Sequence, residues 1–568
     1  MIKSLNELQK LVISNCKSME VIVDSKGVQG EEEIIDMSFS KLLYMKLELL
    51  PKLTSFGTGN LIEFSSLKEL HIERCSNLKT FFGQSSCPNT VREEEGEVNL
   101  ENYFMNINPL FDEKVAFPSL EEMVLSHLDN LQLIWHNQKL HGESFCKLKV
   151  VRVEFCEKLL TIVPSNTQGN LSFRNLKRLT VMSCWSMKSL FPVSIATGLM
   201  QLEHLQIILC GLENIVSEEE VMGAPTFLFP KLKYIYLTHL KELKYFYPRL
   251  HTIEWPMLSI LDVRGCKKIK VRDFEFSSFQ ERDEERQPPI FYLEKVIPNL
   301  EWLGLGADDF GLAFLHSNLA ERLGKLKRLS LGTFDDETGS SLVNFLQKLN
   351  CLESLYIHGN SSKELFPYKQ GHIWKQDFRG DSFLQNLQKL FVLGCDCLTI
   401  LMPSSTSFKN LKNLSIYWCN GLYKVLTCEA AKTLVNITTL VIQKCKLLTG
   451  VVAGEGDQEE EIVFGQLKTL ELSCLSSLTS FCSANYSFKF PCLEQVVVSQ
   501  CPKLNIFSQG ALSTPLLKKI ESTEEYNHQK FFWEDDLNST IQQIFTKMVL
   551  TLSQNFCFLS IYNIFVDI

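Results

Sequence analysis

The stretch Leu176–Pro192, LKRLTVMSCWSMKSLFP, decides the fold of this chain. It shares its spacing of apolar residues with Leu148–Pro164, LKVVRVEFCEKLLTIVP, and the two segments place Cys184 and Cys156 at the same point. Apolar residues occupy the first, fourth and sixth positions, and the fourth and sixth alternate with variable residues. Alternation with a period of two is typical of a short strand with one buried face. The two segments therefore indicate two copies of one repeating structural unit.

The same frame, L-x-x-L-x-(L/V/I), occurs seventeen times along the 568 residues. Most consecutive copies lie 24 to 30 residues apart, which is the spacing of leucine-rich repeats. We therefore predict an α/β repeat solenoid, a leucine-rich-repeat horseshoe or arc with a long concave parallel β-sheet and a convex side of loops or short helices. The first apolar positions are Leu8, Leu42, Leu67, Leu120, Leu148, Leu176, Leu202, Leu232, Leu258, Leu300, Leu326, Leu352, Leu387, Leu411, Ile437, Leu467 and Leu493.

The repeats also set the predicted domain boundaries. Residues 1–520 are expected to form the solenoid, with insertions near 79–116 and 270–296, where the spacing between copies widens. Residues 521–568 are expected to form a C-terminal cap or extension. The apolar end of that segment is interrupted by Gln542, Lys547 and Asn555, so it falls short of the roughly 18 uninterrupted apolar residues of a membrane span.

One position of the repeat, three residues after the sixth frame position, is cysteine in ten copies and leucine in copies such as those at Leu50 and Leu128. A position that accepts either residue is buried, because a free cysteine behaves as a small hydrophobe, and a metal ligand could not be exchanged for leucine. We predict a ladder of reduced, buried thiols that binds no metal. Its members are Cys16, Cys75, Cys156, Cys184, Cys210, Cys266, Cys395, Cys419, Cys445 and Cys501.

A second apolar stripe lies three residues before each first frame position. One repeat cannot bury both stripes alone, whereas stacked neighbours can, so this stripe is predicted to fill the convex side of the coil. The stripe is aromatic in ten copies, at Phe39, Phe64, Phe117, Phe145, Phe173, Phe229, Trp255, Phe408, Phe464 and Phe490.

The charge pattern argues against several classes of partner. The net charge of −9 gives no general reason to expect nucleic acid or an anionic membrane. Lysines such as Lys149 and Lys177 share the second frame position with glutamates such as Glu121 and Glu203, which breaks a basic stripe. Acidic runs such as residues 454–461 are expected to be solvated loops, because nothing fixes a cage of oxygen ligands for calcium. The start of the chain shows no secretory signal, which favours a reducing, cytoplasmic location.

The alternation of L..L.V..C..L..I copies with L..L.L..L..L..I copies resembles the leucine-rich-repeat region of plant intracellular disease-resistance proteins, of the coiled-coil, nucleotide-binding class. Phrases at Phe117–Leu140, Ser144–Asn166 and Phe532–Phe545 (FWEDDLNSTIQQIF) strengthen the likeness, which covers nearly the whole chain. The resemblance implies a cytoplasmic module of innate immunity. Such a module recognises a pathogen effector or a guarded host protein, and it helps to hold a nucleotide-binding switch domain inactive.

Receptors of that class carry the nucleotide-binding domain ahead of the repeats, whereas no G-x-x-x-x-G-K-[ST] phosphate loop occurs here. The chain is therefore expected to lack that domain and any cofactor, as part of a longer receptor or as a non-functional truncated paralogue. A leucine-rich-repeat substrate adaptor for ubiquitin ligation is an alternative, although the expected F-box-like helical stretch ahead of the repeats is missing. We expect no enzyme, because no H-E-x-x-H or C-x-x-C motif or other catalytic constellation stands out.

Recognition is expected on the residue between the fourth and sixth frame positions, one residue per strand. Packing fixes its neighbours and leaves this column free to vary on a rigid sheet, as a binding surface requires. Exposed aromatic side chains make strong anchors for protein partners. The candidate partner-binding residues on or beside the column are Tyr236, Trp302, Tyr356, Phe391, Tyr417 and Trp418.

Overall fold

The computed structural model describes residues 7–23, 36–58, 61–82, 107–135, 140, 144–164, 173–219, 223–268, 299–306, 320, 323–332, 336–365, 384–402, 408–454, 460–523 and 529–547. The chain divides into two compact units, residues 1–300 with 308–311 and residues 301–307 with 312–568. Both units repeat the same element, a five-residue parallel strand followed by a turn and a return segment. The repeat solenoid predicted from the sequence is confirmed.

Within its described residues, the first unit contributes nine parallel strands to its main sheet, and each begins two residues after a first frame position. Their register is continuous, with Val12 beside Lys46 at one end and Tyr236 beside Asp262 at the other. The strands are Lys10–Ser14, Tyr44–Glu48, Glu69–Glu73, Glu122–Ser126, Val150–Glu154, Arg178–Met182, His204–Ile208, Tyr234–Thr238 and Ile260–Val263.

The main sheet of the second unit follows the same rule in its first eight strands, whereas the ninth begins three residues after Leu517. The parallel strands are Trp302–Leu305, Arg328–Gly332, Ser354–His358, Lys389–Leu393, Asn413–Tyr417, Thr439–Gln443, Thr469–Ser473, Gln495–Ser499 and Ile520–Thr523. The last of these is a further copy of the repeat that the sequence frame missed, because Ser522 stands where the frame requires Leu, Val or Ile. A final strand, Gln529–Phe532, pairs with it in the antiparallel direction, and a helix follows over residues 537–547.

The return segments carry short parallel strands more often than helices, which refines the expected convex side. In the first unit they are Val21–Val23 with Ser55–Gly57, then Asp36–Ser38, Leu61–Glu63 and Val115–Ala116, and Thr226–Leu228 with Thr252–Glu254. In the second unit they are Ile400–Met402, Lys424–Thr427, Gly450–Ala453 and Ser480–Cys482, and then Glu461–Val463, Ser487–Lys489 and Leu512–Ser513. The remaining helices in the described part of the chain are Val193–Ala196, Asp336–Gln347 and Cys428–Thr433.

The aromatic stripe forms the interior between the main sheet and the return segments. All ten aromatic residues predicted to line it are at most 3% exposed. Consecutive rings stack along each unit, with centroid distances of 5.1 Å between Phe39 and Phe64, 5.2 Å between Phe64 and Phe117, and 5.4 Å between Phe464 and Phe490. Each stacked pair stabilises the fold by about 0.5–1.5 kcal/mol beyond the burial of its area. The predicted role of this stripe is confirmed.

The residue directly after each strand, at frame position 8, adopts a left-handed backbone conformation. Its φ lies between 52° and 75° at Asn15, Leu49, Arg74, His127, Phe155, Ser183, Leu209, His239, Gly265, Gly359, Gly394, Trp418, Lys444, Cys474 and Gln500. The conformation aims the N–H group at the neighbouring repeat: Leu49 N donates to Glu73 O at 3.0 Å, and Trp418 N donates to Gln443 O at 3.1 Å. For a residue other than glycine the left-handed region costs about 1–2 kcal/mol, so most repeats store backbone strain at this turn.

The cysteine ladder directly follows position 8. Nine of its ten members are buried, and only Cys16, in the first copy, is partly exposed. Their thiols donate to the carbonyl oxygen two residues earlier, as Cys156 does to Glu154 at 3.5 Å and Cys210 does to Ile208 at 3.3 Å. Burial raises the pKa of Cys75 to about 11 and that of Cys156 to about 12. Cys75 and Cys156 are therefore buried, protonated parts of the core, and the weak S–H donor of a ladder cysteine satisfies a carbonyl group that leucine could not.

Candidate functional site

The open face of the main sheet consists of three rows of side chains, at frame positions 3, 5 and 7. Positions 4 and 6 fill the core, as Leu179 and Val181 do at 0% exposure, so the alternate residues point to the other face. The column predicted at position 5 is in register throughout each unit: Arg152 lies beside Thr180, and Tyr356 lies beside Phe391. The alignment of the repeats is thereby confirmed at single-residue precision.

The column is less free than the sequence suggested. Asp262 and Ser330 both lie at position 5, yet each is only 1% exposed. Arg264, two residues after Asp262, covers it and donates from Nε at 2.8 Å and from Nη2 at 2.7 Å. Ser330 Oγ lies 3.0 Å from Nε2 of His358, which stands at position 7 of the adjacent strand. At these two positions a longer side chain at position 7 closes over a short polar one. The expectation of an exposed, freely variable column is wrong at six positions, which are Val124, Asp262, Gly304, Ser330, Ser415 and Val441.

In the first unit the open face is largely occupied by ion pairs of its own. Lys46 Nζ lies 3.1 Å from Glu48 and 3.4 Å from Glu73, and Arg152 lies 3.8 Å from Glu154. The hydrogen bond to Glu48 raises the pKa of Lys46 above its ordinary value. Charges matched in this way offer little net charge to a partner.

Tyr236 is the one predicted site residue of the first unit. It is half-buried, and its ring meets the edge of His204 with 5.6 Å between centroids. Burial lowers the pKa of His204, so this histidine is neutral at pH 7. Tyr236 is therefore on the open face, as predicted, and packs beside an uncharged neighbour.

The second unit gathers the other five candidates. Tyr356 and Phe391 lie on adjacent strands with their rings 4.6 Å apart and within 3° of parallel. Trp418 stands at position 8 rather than on the strand itself and is 47% exposed. Its ring lies 6.0 Å from that of Tyr417, and Lys444 Nζ lies 4.6 Å from its centroid. A cation over an exposed indole contributes about 0.5–1 kcal/mol, which helps to hold the ring in place.

Trp302 belongs to the same unit but lies at position 3, at the start of its strand, and is half-buried. The structure thus brings together Tyr356 with Phe391 and Tyr417 with Trp418. It also places two exposed cations, Arg328 and Lys389, in the row beside the first pair, which the sequence analysis missed. The signal was present, since both residues occupy position 3 of the frame, but the sequence prediction was restricted to aromatic side chains.

The edge of the sheet does not form a basic stripe. Lysines and glutamates at position 2 pair between neighbouring strands, with 2.6 Å between Lys149 and Glu121 and 3.3 Å between Lys327 and Glu301. The hydrogen bond from Lys149 lowers the pKa of Glu121. Over the residues that the structure describes, no group of three or more His, Cys, Asp or Glu side chains is arranged to hold a metal ion. Among the helices placed by the structure, none has the length and apolar character needed to span a bilayer.

Comparisons with known proteins found relatives by sequence and by structure. A disease resistance protein of Arabidopsis thaliana is 30% identical over 163 residues, which cover 27% of this chain and 18% of that protein. The leucine-rich-repeat ectodomain of the receptor kinase GASSHO1/SCHENGEN3 of Arabidopsis thaliana, solved in complex with CASPARIAN STRIP INTEGRITY FACTOR 2, aligns over 89% of this chain and 59% of its own at 12% identity, with a TM-score of 0.27. An internalin of Listeria monocytogenes aligns over 69% of this chain and 88% of its own at 13% identity, with a TM-score of 0.25.

These TM-scores are low, so the fold assignment depends on the strand register and on the family. The sequence model of the family "Plant disease resistance protein RPS2-like, leucine-rich repeats" matches residues 1–93, 98–171, 165–211 and 403–522, which together exceed half of the chain. The matched ranges contain eight of the ten ladder cysteines, all except Cys266 and Cys395. This chain therefore belongs to the RPS2-like leucine-rich-repeat family of plant disease resistance proteins.

Proposed function

We propose that this chain is the recognition module of a plant innate-immune receptor, which acts in the cytoplasm and binds a pathogen effector or a guarded host protein. In this proposal it performs no chemistry of its own and works with a nucleotide-binding switch domain that it helps to hold inactive. The disease resistance family supports the role, and the reduced, buried thiols fit a reducing compartment.

The observation that carries the proposal is the face-to-face stack of Tyr356 on Phe391 on the open face of the second unit. Both side chains are only half-buried and do not contribute to the core. Two rigid aromatic rings on a sheet offer a large contact area at little entropic cost, which is the character of binding hot spots. Trp418 directly follows the strand next to that of Phe391, and Lys444 lies over its ring. Trp418 therefore extends the same aromatic surface.

Replacing Tyr356, Phe391 and Trp418 together with alanine tests this proposal. Wild type and variant are immobilised and exposed to the same plant leaf extract, and bound proteins are quantified by mass spectrometry. We expect the proteins enriched by wild type to be lost with the variant, while circular dichroism and the melting temperature stay nearly unchanged.

A matched control carries alanine at three exposed apolar residues that are not among the candidate anchors, Trp185, Leu250 and Tyr423, which are 47%, 61% and 51% exposed. The control variant should enrich the same proteins as wild type. Equal enrichment by the variant with alanine at Tyr356, Phe391 and Trp418 would contradict the proposal and move the contact surface to the loops or edges.

We further propose that residues 521–568 include a C-terminal cap. Leu537, Ile541 and Ile544 of the terminal helix are at most 4% exposed. The side chain of Asn538 accepts hydrogen bonds from the N–H groups of Phe507 and Ser508, at 2.9 and 3.1 Å, and donates to Ser508 O at 2.9 Å. This amide takes the place that the backbone of a further repeat would occupy, which supports the assignment.

A further inference from the structure

Five neighbouring strands of the second unit, from Arg328–Gly332 to Thr439–Gln443, have an unusual charge composition on the open face. No carboxylate occupies position 3, 5 or 7 of any of them. Arg328 and Lys389 supply positive charge at position 3. The first unit differs, since Glu48 and Glu73 occupy position 7 there and neutralise the cation between them.

Both cations are available to a partner. Arg328 and Lys389 are exposed, and neither makes an ion pair within the part of the chain that the structure describes. Glu353, which directly precedes the strand between them, pairs with neither of them among those residues. In the first unit, by contrast, Lys46 and Arg264 are both engaged by carboxylates. Lys10 and Arg178 are also exposed at position 3 in the first unit without a carboxylate partner among the described residues, so the second unit is distinguished by two such cations two strands apart beside an aromatic stack.

The geometry relates the two charges to the aromatic stack. Ser354 lies between Arg328 and Lys389 in the register. The Cα atoms of the two cationic residues are therefore two strand spacings, or about 10 Å, apart. Tyr356 follows Ser354 by two residues, and Phe391 follows Lys389 by two residues. Both aromatic residues therefore lie about 7 Å along the strands from the row of cations. An extended segment in the polyproline II conformation advances about 9 Å in three residues and returns every third side chain to the same face, so one short segment can reach both cations and the rings.

We infer that this surface binds an extended acidic segment of a protein partner. Two carboxylates about three residues apart meet Arg328 and Lys389, and an apolar side chain between them packs on Tyr356 and Phe391. The inference rests on the proposed function, because it uses the same open face. We call these four residues the Arg328–Lys389 surface.

Single-stranded nucleic acid also binds surfaces that combine cations with aromatic rings. Two observations favour the peptide. The rings of Tyr356 and Phe391 lie against each other at 4.6 Å, which leaves no space for a base between them. Two unpaired cations match two carboxylates, whereas a nucleic-acid strand presents a continuous row of phosphates that favours a longer basic track.

Fluorescence anisotropy with defined probes tests the inference on the full chain. The main probe is a labelled twelve-residue peptide of three Glu-Phe-Ser-Glu units, and its counterparts replace every Glu with Gln or with Lys. A fifteen-nucleotide oligo(dT) is the nucleic-acid probe. We expect the acidic peptide to bind about tenfold more tightly than the Gln peptide at low salt, since two exposed charge pairs are involved, and to lose this advantage at high salt.

Reversing both charges with Arg328→Glu and Lys389→Glu should abolish the preference for the acidic peptide. The matched control, Lys233→Glu with Lys468→Glu, changes the net charge equally at two exposed lysines of other strands and should bind like wild type. Retained preference in the Arg328 and Lys389 variant, tighter binding of the Lys peptide or of oligo(dT), or binding of none of the peptides would overturn the inference. Equal binding of the acidic and Gln peptides, lost only when Tyr356 and Phe391 become alanine, would overturn it while leaving the proposed function intact.

Discussion

Replacing the buried thiol of Cys156 with alanine should destabilise the protein at pH 8, and this loss of stability should disappear by about pH 10. At pH 8 the variant loses a buried group about the size of a methyl, and also the hydrogen bond to Glu154 O at 3.5 Å, so we expect it to be about 1 kcal/mol less stable than wild type. Burial raises the pKa of this thiol from 9.0 to about 12, and that shift determines what happens at higher pH.

Between pH 9 and pH 12 the thiol ionises in the unfolded chain but stays protonated in the folded one. The unfolded state therefore binds fewer protons, and wild type loses about 1.4 kcal/mol of stability per pH unit through this group. Alanine has no proton to lose, so the variant escapes this loss. By pH 10 the two effects are about equal and opposite, and at higher pH the variant should become the more stable protein.

Urea unfolding followed by circular dichroism at pH 8, 9 and 10 measures the difference between wild type and variant. The lysines and tyrosines that titrate in this range are common to both proteins, so their contributions to the free energy of unfolding cancel in the comparison. The control is Cys351→Ala, which removes an exposed thiol and should show a difference independent of pH. If the difference in the free energy of unfolding between wild type and Cys156→Ala stays constant or widens from pH 8 to pH 10, the assignment of a buried, protonated thiol at Cys156 is refuted.

Four further predictions concern the turns, the open face, the proposed cap and nucleotide binding. Leu49→Gly should leave the free energy of unfolding unchanged or raise it by up to about 1 kcal/mol, because Leu49 is exposed and has a φ of 56°. A clear fall in the melting temperature would contradict stored strain at position 8. Arg264→Ala should cost about 3 kcal/mol in denaturant unfolding by leaving Asp262 buried and unpaired, and adding Asp262→Ala should recover most of it. Asn538→Ala should cost about 1–3 kcal/mol, since it strips partners from three backbone groups; an unchanged unfolding midpoint would remove the argument for the cap. Calorimetry with ATP should show no binding, because the chain has no phosphate loop, and stoichiometric binding would contradict that reasoning.

The strands of both main sheets could be located from the sequence almost to the residue. Each repeat packs on a copy of itself, so the spacing of leucines along the chain translates directly into strand register. The strand at Ile520–Thr523 escaped because Ser522 interrupts the apolar pattern. Return strands such as Val21–Val23 escaped because three residues are too few to show a period.

The candidate surface was less accessible to sequence reasoning. The frame places Tyr356 and Phe391 in one column, but their parallel stacking depends on the orientation of both rings, which the pattern does not contain. Burial of Asp262 was unforeseen because it depends on Arg264 folding back along its own strand. Sequence periodicity reports which face a residue occupies, whereas its neighbours decide whether a partner can reach it.

The amide of Asn538 has a consequence for how proteins of this kind change over generations. In the proposed cap, one side chain satisfies the backbone of the return segment at Phe507 and Ser508, so this ending does not depend on the number of repeats before it. Unequal recombination among the similar upstream segments can insert or delete whole repeats and keep the same ending. A lineage can thus lengthen or shorten its sheet in single steps, without a new terminator arising each time.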